Sequence, residues 1–449
     1  MTRKPISQLK MTKVLLIAHD FPPMRTSGIY RPSGMCKHLR QFGWEPTVLT
    51  VESRPDDLQD PLLLKRIPQD LRVVRTPSLK ISGWENRTAA AVRAVGGLKP
   101  KTKGGLRTTI DHLVRRSAEF ARSCLYFPDE YVGWIPFGFY KALQLVMEGR
   151  FDLIYTTSPP RAAAVIGLLL KMLTGMPWVA EFRDPWYPSP RPLRRRFERM
   201  LLSRILHSAD AVVTTSKGLA AELQQSFSLQ AKTVAAINNG YEESDFLPAD
   251  GRNSDLLAPG FFHFSHFGTI YPNCSGRFFD ALGELLRESP ELKSQVRVNV
   301  VGFPDEKVRR EILSEDLNTV AQVRGFVDHE TAVAAMRSSD CLLLFWGNRD
   351  FSRLAVAGKT YEYLRVGRPI LAVTYEGDIA QLVRNGQAGW VADPDDVQAI
   401  KRVLREAISS RPKGGNPSPI RREFVEQFRY DRLAEKLAGV FDSVIRHGS

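Results

Sequence analysis

A lysine and a glutamate stand three residues apart in the second half of the chain, at the start of one predicted helix. The stretch from 358 to 371 predicts a short helix that ends at Gly367, followed by an apolar strand. Lys359 and Glu362 then share one helical face. The lysine and the helix N-terminus suit a phosphate, and the carboxylate, which only accepts hydrogen bonds, suits sugar hydroxyls. A surface ion pair explains the spacing equally well.

Three charged residues stand at the tip of a predicted buried strand. The run from Pro177 to Trp186 contains Glu181, Arg183 and Asp184. Charges at the end of a buried strand are costly unless they are paired or used, which makes this triplet a candidate functional site. The alternative is an internal arginine–carboxylate clamp that holds the tip loop.

Two loops follow apolar runs that we predict to be strands. In parallel sheets, ligands bind at the loops that follow the carboxyl ends of the strands. The first apolar run, Lys13–Ala18, leads into His19, Asp20 and a loop with Gly28. A lone His–Asp pair there is more typical of a loop hydrogen bond than of a catalyst.

The second loop follows the run Phe261–Phe267, where Gly268 and Thr269 lead into a helix that contains Arg277. Thr269 and the backbone beside Gly268 can approach a phosphate closely. Asp393, Asp395 and Asp396 look like an acidic metal motif, but they open a helix, and we interpret them as N-capping. We find no DxD-type metal site.

The order of the predicted elements is that of an α/β protein with two tandem Rossmann-like, doubly wound domains. We place an N-terminal domain at 11–245, a C-terminal domain at 258–418 and a helical strap at 419–449, with a linker near 247–260. Two such domains imply a cleft between facing carboxyl edges, with a nucleotide on one side and a second substrate on the other.

The amino-acid composition limits the classes of molecule that the protein is expected to bind. The chain has 449 residues, of which 43% are hydrophobic and 25% charged, with a formal charge of +14. This excess favours anionic partners such as nucleotides or a membrane face. Nucleic acid is the weakest option, because no recognised nucleic-acid module is present and the basic residues are dispersed. Four dispersed cysteines without a CxxC pair argue against zinc or a disulfide framework.

Two basic segments could touch a membrane. The loop from Gly96 to Arg107 and a helix from Ile110 to Tyr126 precede aromatics, including Trp134, that we take as exposed. A solvated loop and a core helix are an equal alternative. In the helix from Arg191 to His207, Leu193, Phe197, Met200 and Leu201 form an apolar face opposite Arg195, Arg196 and Arg199. We favour a solvated arginine face there. No signal peptide or spanning helix is evident, which predicts a cytoplasmic protein, peripheral at most on the inner face of the membrane.

Several short motifs occur along the chain in a characteristic order. They are Phe21-Pro22-Pro23 with Gly28, Phe182-Arg183-Asp184-Pro185-Trp186, Asn239-Gly240, Phe267-Gly268-Thr269, and Lys359-Thr360-Tyr361-Glu362-Tyr363 with Gly367-Arg368-Pro369. From Lys13 to the tail, the chain resembles the GT-B-fold glycosyltransferases of the GT4-like group, also called group 1. These enzymes use nucleotide sugars and are common in bacterial polysaccharide and glycolipid assembly.

The resemblance implies that the first domain is the acceptor side and that the second binds a nucleotide-diphosphate sugar. Glu362 matches the second acid of the family's Glu-x7-Glu motif, which hydrogen-bonds the ribose, and Lys359 would lie near the diphosphate. The remaining implied positions are Phe326 and Val327 near the base, Gly28 under the diphosphate and sugar, and Arg183 with Asp184 beside the reacting centre.

The sequence departs from the family pattern at three positions. Leu354 replaces the first acid of Glu-x7-Glu, Arg277 is the only base near the usual Arg and Lys positions, and Arg183 stands where a histidine is common. The contact to the donor sugar must therefore differ.

The implied reaction moves a sugar from a nucleoside diphosphate to a hydroxyl of a glycan or lipid-linked acceptor. It would retain the anomeric configuration and need neither a metal nor a cofactor. Two other functions stay open. One is a nucleotide-sugar epimerase of the same fold, which needs no acceptor. The other is a non-catalytic scaffold that binds a nucleotide or a membrane, which Leu354 favours.

Overall fold

The apolar runs of the sequence form the strands of two sheets. The computed structural model describes residues 11–54, 57–79, 126–186, 189–247, 255–410 and 420–448. The chain divides into two units. The first contains the chain up to Val213, then Phe227–Ala235 and the end from Ala438, and the second contains Thr214–Ser226 and Ala236–Leu437.

In the described part of the chain, the first sheet has seven strands. They are β1 (Thr12–Ala18), β2 (Trp44–Val51), β3 (Arg72–Thr76), β4 (Leu153–Ser158), β5 (Trp178–Phe182), β6 (Ala211–Thr214) and β7 (Thr233–Ala236). Their order is β3-β2-β1-β4-β5-β6-β7. The pairs β3–β2, β2–β1, β1–β4 and β4–β5 are parallel. The carboxyl ends of these strands therefore meet at one edge.

The described helices beside this sheet include α1 (Tyr30–His38), α2 (Ile135–Met147), α3 (Arg161–Thr174) and α4 (Pro192–Ser208). The next helix, α5 (Lys217–Ser226), belongs to the second unit. None of the described helices combines the length and apolar character needed to cross a membrane.

The second sheet has six strands, which all pair in parallel. They are β8 (Phe262–Phe267), β9 (Val296–Val301), β10 (Ala321–Gly325), β11 (Cys341–Trp346), β12 (Ile370–Thr374) and β13 (Gly389–Ala392), in the order β10-β9-β8-β11-β12-β13. Side chains alternate between two apolar cores. Leu343 lies in one core and the adjacent Leu342 in the other, as expected for a strand that is buried on both faces.

The remaining helices follow these strands. They are α6 (Phe278–Glu288), α7 (Glu306–Ile312), α8 (His329–Ser338), α9 (Arg349–Ser352), α10 (Lys359–Val366), α11 (Asp378–Asn385), α12 (Val397–Ser409), α13 (Arg422–Glu426) and α14 (Tyr430–Gly448). Alternating strands and helices around two parallel sheets confirm the predicted fold class. The predicted domain limits and the strap at 419–449 stay predictions.

The prediction of exposed aromatics before α2 was wrong for Trp134. Its side chain is fully buried, and its Nε1 donates a hydrogen bond of 2.8 Å to Thr76 Oγ1. The helix α2 that follows was not predicted. The basic loop at 96–107 and the predicted helix at 110–126, apart from Tyr126 itself, lie outside the described residues.

The apolar face predicted for α4 points outward. Leu193, Phe197 and Met200 are each more than half exposed, whereas Leu202, Ile205 and Leu206 are buried. Glu198 is also buried, where it pairs with Arg194 at 2.8 Å and with Arg161 at 3.4 Å. Glu198 takes the inward side of the first turns, and the apolar residues Leu193, Phe197 and Met200 face solvent.

We expect Phe441→Ala to lower the stability of the first unit by about 3–5 kcal/mol, the cost of an aromatic cavity in a closed core. The ring of Phe441 is fully buried, with ring centroids 5.0 Å from Trp44 and 5.2 Å from Tyr155. Urea unfolding followed by tryptophan fluorescence would measure the change. Arg446→Ala, at an exposed position of the same helix, is the control and should change stability by less than about 0.5 kcal/mol. Equal midpoints for the two variants would contradict this packing.

Candidate functional site

The carboxyl end of β8 forms a turn that only glycines permit. Gly268 has a φ of +106°, and its N–H donates to the Val301 carbonyl oxygen at 2.8 Å. A Cβ on Gly302 would lie 2.3 Å from the Gly268 carbonyl oxygen. Two backbones therefore approach closely at this edge, and Gly268 itself is exposed.

Lys359, the first residue of α10, reaches over this turn. A Cβ on Gly268 would lie 2.9 Å from Lys359 Nζ, and Nζ lies 3.2 Å from His266 Nε2. His266 Nδ1 lies 2.9 Å from the Leu343 carbonyl oxygen. The structure thus brings the predicted residues Lys359 and Gly268 together and adds His266, which the sequence analysis missed.

Burial sets the protonation of this pair. It lowers the pKa of Lys359 to about 8, against the effects of Glu362 and Cys274. Burial, and then the charge of Lys359, hold the pKa of His266 well below its usual value, although hydrogen bonds with the backbone of Leu343 and Thr269 oppose this shift. At neutral pH the lysine is a cation beside a neutral imidazole.

Helix α10 is held against the end of β8 by a tyrosine. The N–H of Phe267 donates to Tyr363 Oη at 2.8 Å, and Tyr363 is fully buried. Glu362 is half-buried, and its charge acts on Lys359, as expected for neighbours on one helical face. The hydroxyl of Thr360 is buried, with no hydrogen-bond partner in the described parts of the chain. The first turn of α10 therefore combines a cation, a carboxylate and an unpaired hydroxyl.

The other predicted donor residues of the second unit differ in their exposure and contacts. Thr269 is exposed, and its backbone meets His266. Phe326, after β10, is 55% exposed, and Val327 packs partly buried against the core that contains Tyr363. Leu354, at the position of the missing acid, offers its carbonyl oxygen to Ser216 Oγ at 2.8 Å.

Arg277 is not joined to the lysine. Its side chain, about half exposed, pairs with Asp280 on its own helix at 3.1 Å, and its N–H donates to the Pro394 carbonyl oxygen. No contact among the described residues links it to Lys359. Asp396 accepts from the N–H of Ala399 at 2.8 Å, which confirms it as the N-cap of α12. Across the described ranges, no three His, Cys, Asp or Glu side chains are grouped to hold a metal ion.

At the edge of the first sheet, Arg183 holds two loops together. Its guanidinium donates to the carbonyl oxygens of Gly28 and Pro159. A Cβ on Gly28 would lie 2.8 Å from Asp20 Oδ2, so a larger residue there would require the Asp20 side chain to move. Asp20 in turn lies 2.7 Å from His19 Nδ1, which confirms the loop hydrogen bond expected for that pair.

Of the three charges at the tip of β5, Glu181 is part of an internal clamp. It is buried and pairs with Arg31 at 2.7 Å, and Thr157 Oγ1 donates to it at 2.6 Å. Burial acts to raise the pKa of Glu181, but Arg31 and the hydrogen bonds outweigh it and lower the pKa below its usual value. The clamp alternative is thus confirmed for Glu181, with Arg31 as the partner.

Asp184 differs from Glu181. Its side chain is exposed and makes no hydrogen bond to another described residue. Surrounding protein nevertheless raises the pKa of its carboxyl group, an effect that Arg183 opposes. It is the one carboxylate of the triplet left for a ligand.

Two unpaired polar atoms at the same sheet edge were missed by the sequence analysis. Arg75 Nη2 donates to the Pro22 carbonyl oxygen at 2.5 Å, but Nη1 is buried with no hydrogen-bond partner in the described residues. Burial lowers the pKa of Arg75. The hydroxyl of Ser158, at the end of β4, is also buried and without a partner in the described ranges. A buried polar group without a partner requires an explanation, such as a bound water, ion or ligand.

The chain matches known protein families in both of its halves. The family model described as "Glycosyl transferase 4-like domain" matches residues 30–240, and that described as "Glycosyl transferases group 1" matches residues 272–410. A D-inositol 3-phosphate glycosyltransferase of Streptomyces avermitilis is 25% identical over 275 residues, which are 58% of this chain and 56% of that protein. The chain thus matches only about half the length of this relative.

Two solved structures share the fold. HepE from Anabaena, solved with UDP and glucose, has a TM-score of 0.65 and 16% identity, with 96% of this chain and 100% of HepE covered. Sucrose-phosphate synthase from Thermosynechococcus elongatus has a TM-score of 0.62 and 17% identity, with 97% and 100% covered. At these identities, the likeness concerns the fold.

We expect Gly268→Ala to weaken nucleotide binding, because the new Cβ would displace Lys359 Nζ. The reference nucleotide is the one of UDP, GDP and ADP that binds the wild type most tightly in isothermal titration calorimetry. Gly260→Ala is the matched control, since Gly260 also has a positive φ, of +89°, but open space around its Cβ position. Both variants should lose about 1–3 kcal/mol of stability from backbone strain. Only Gly268→Ala should lose affinity, and equal affinities would remove Gly268 from the site.

Proposed function

The chain belongs to the group 1 and 4-like family of glycosyl transferases, and on that premise we propose that it moves a sugar from a nucleoside diphosphate to an acceptor hydroxyl. The observation that carries the proposal is the ammonium of Lys359, held over the open turn at Gly268. A cation at a backbone turn and a helix N-terminus is what a diphosphate needs.

The second unit would bind the donor. Lys359 and the N-terminus of α10 would stabilise the charge that develops on the leaving diphosphate. The carboxylate of Glu362, about one turn further on, would accept hydrogen bonds from the ribose hydroxyls. The backbone at Phe326 and Val327 would lie near the base, and Thr269 beside the phosphates. Arg277, paired with Asp280, would have to leave that partner in order to contribute.

The reaction would form a bond between the acceptor oxygen and the anomeric carbon while the bond from that carbon to the diphosphate breaks. The hydroxyl proton would pass to the departing diphosphate or to Asp184, whose raised pKa suits a proton acceptor. Family resemblance supports retention of configuration without a protein nucleophile. Arg183 would act by holding the Gly28 loop under the sugar. The proposed chemistry calls for no cofactor and no metal.

The acceptor would carry an anionic group. Arg75 presents a buried guanidinium nitrogen that has no hydrogen-bond partner in the described residues, at the edge of the first sheet. The relative from Streptomyces avermitilis is named for a phosphorylated acceptor, D-inositol 3-phosphate. A phosphate would supply the missing partner of Arg75. Glycan precursors linked to a lipid through phosphate have the same chemistry.

A lipid-linked acceptor would bring the chain to the inner face of a membrane. The outward side of α4 supports this location, because Leu193, Phe197 and Met200 are exposed there beside exposed arginines. We propose peripheral membrane binding on that basis.

Release of the nucleoside diphosphate from a panel of nucleotide sugars tests the proposed reaction. Release that requires an added acceptor, with a glycosylated product seen by mass spectrometry, is the expected result. Conversion of the sugar without any acceptor would indicate an epimerase instead. Nucleotide binding without turnover across the acceptor panel would indicate a scaffold.

We expect Glu362→Ala to weaken binding of the reference nucleotide by about 1–3 kcal/mol, the scale of a lost hydrogen bond to a charged group. Calorimetry at neutral pH would measure this change. Glu406→Ala removes an exposed acid from α12 of the same unit and should leave the affinity unchanged. Unchanged affinity in Glu362→Ala as well would remove Glu362 from the donor site.

We expect Arg75→Met to weaken binding of a phosphorylated acceptor about tenfold or more, because a charged hydrogen bond is lost. D-inositol 3-phosphate is the first probe, compared with unphosphorylated inositol by calorimetry. Arg72→Met, at an exposed position of the same strand, is the control. Equal binding of the probe by Arg75→Met and wild type would place the anionic group elsewhere.

A further inference from the structure

The neutral imidazole of His266 is oriented by the backbone. Its Nδ1 lies 2.9 Å from the Leu343 carbonyl oxygen, and a carbonyl only accepts, so Nδ1 carries the proton. In a neutral ring the lone pair is then on Nε2, which faces Lys359 Nζ at 3.2 Å. An ammonium only donates, so the direction of this hydrogen bond is fixed.

The ring is also held in place by packing. His266 is buried, and its ring stacks on Phe345 with centroids 5.1 Å apart and an interplanar angle of 26°. Space filling alone would be met by a phenylalanine at lower cost, since a buried polar ring is stable only when it is hydrogen-bonded. Both ring nitrogens have partners, one in the backbone and one in Lys359.

We propose that His266 is a positioning residue for Lys359, which it holds by one N–H over the turn at Gly268, so that the other N–H groups of the ammonium can meet the diphosphate. The inference rests on the donor site proposed above. The inference also extends the proposed donor site, because the flexible lysine side chain would otherwise lose rotamer freedom when the nucleotide binds. Gly268 contributes by having no side chain in the path of Nζ.

The contact between Lys359 and His266 should affect the pH at which the lysine loses its charge. Four groups face one another here: Lys359 and Glu362 on α10, His266 on β8, and Cys274 after it. Because Lys359 has a pKa of about 8, its charge is present below that pH and is lost as pH rises through it. An acceptor at Nε2 favours the charged amine, so its removal should shift the titration of Lys359 to lower pH.

The test compares His266→Phe, Lys359→Met and the double variant with wild type. His266→Phe retains a stacked ring and removes both nitrogens. Binding of the reference nucleotide at pH 7 is one measurement. The other is acetylation of Lys359 by acetic anhydride as a function of pH in nucleotide-free protein, because only the uncharged amine reacts.

We expect His266→Phe to bind the nucleotide about tenfold more weakly, as for a lost charge-assisted hydrogen bond. The midpoint of Lys359 acetylation should move below that of wild type. The double variant should bind no more weakly than Lys359→Met, because His266 acts through the lysine. His266→Gln, which can place an acceptor near Nε2, should recover part of the affinity.

The matched control is His263→Phe, a second buried histidine of the same strand, whose Nε2 lies 2.7 Å from the Ala258 carbonyl oxygen. It should leave both measurements unchanged. An unchanged midpoint in folded His266→Phe would overturn the proposal, as would a further loss of affinity in the double variant. If the wild type binds none of the three nucleotides, the proposed function fails, but the acetylation midpoints still decide whether His266 holds Lys359.

Discussion

The second unit depends on keeping a charged amine at the edge of a sheet, partly out of water. Removing an ammonium from water is costly unless hydrogen bonds and opposite charge compensate for it. His266 supplies a hydrogen bond to Lys359, and Glu362 supplies the opposite charge. Two contacts tie α10 to β8, because Lys359 meets His266 and Tyr363 accepts from the N–H of Phe267. The helix cannot shift along the strand without breaking one of them.

The first unit also has a cation at its sheet edge, but it is a guanidinium and not an ammonium. In its edge loops, Arg183 donates to the carbonyl oxygens of Gly28 and Pro159. A guanidinium can do this because its donors diverge in a fixed fork. The nearby Asp20 accepts from Thr26 Oγ1 at 2.9 Å, so the loop between β1 and α1 is held from both sides.

The sequence predicts most of the fold because parallel strands are apolar on both faces. Each run of buried residues therefore reads as a strand, and Gly367 correctly marks the end of a helix. Lys359 and Glu362 could be paired because their contact is local. His266 could not, since 93 residues separate it from Lys359 and only the pairing of β8 beside β11 brings them together. The burial of Trp134 and the outward face of α4 could not be predicted for the same reason. In α4, the burial of Glu198 decides which side of the helix faces the core.

The charged residues at the two sheet edges form two groups, which differ in how completely they are hydrogen-bonded. Glu181 and Arg31 are buried and paired with each other, and both are explained by the fold alone. Arg75, Asp184 and Lys359 are different, because each keeps a charged atom or N–H group that the described residues do not use. The unused atoms contribute no hydrogen bond within the described fold, so the fold alone does not account for them. Their position at the carboxyl ends of parallel strands supports the proposed ligands, an anion at Arg75 and a diphosphate at Lys359.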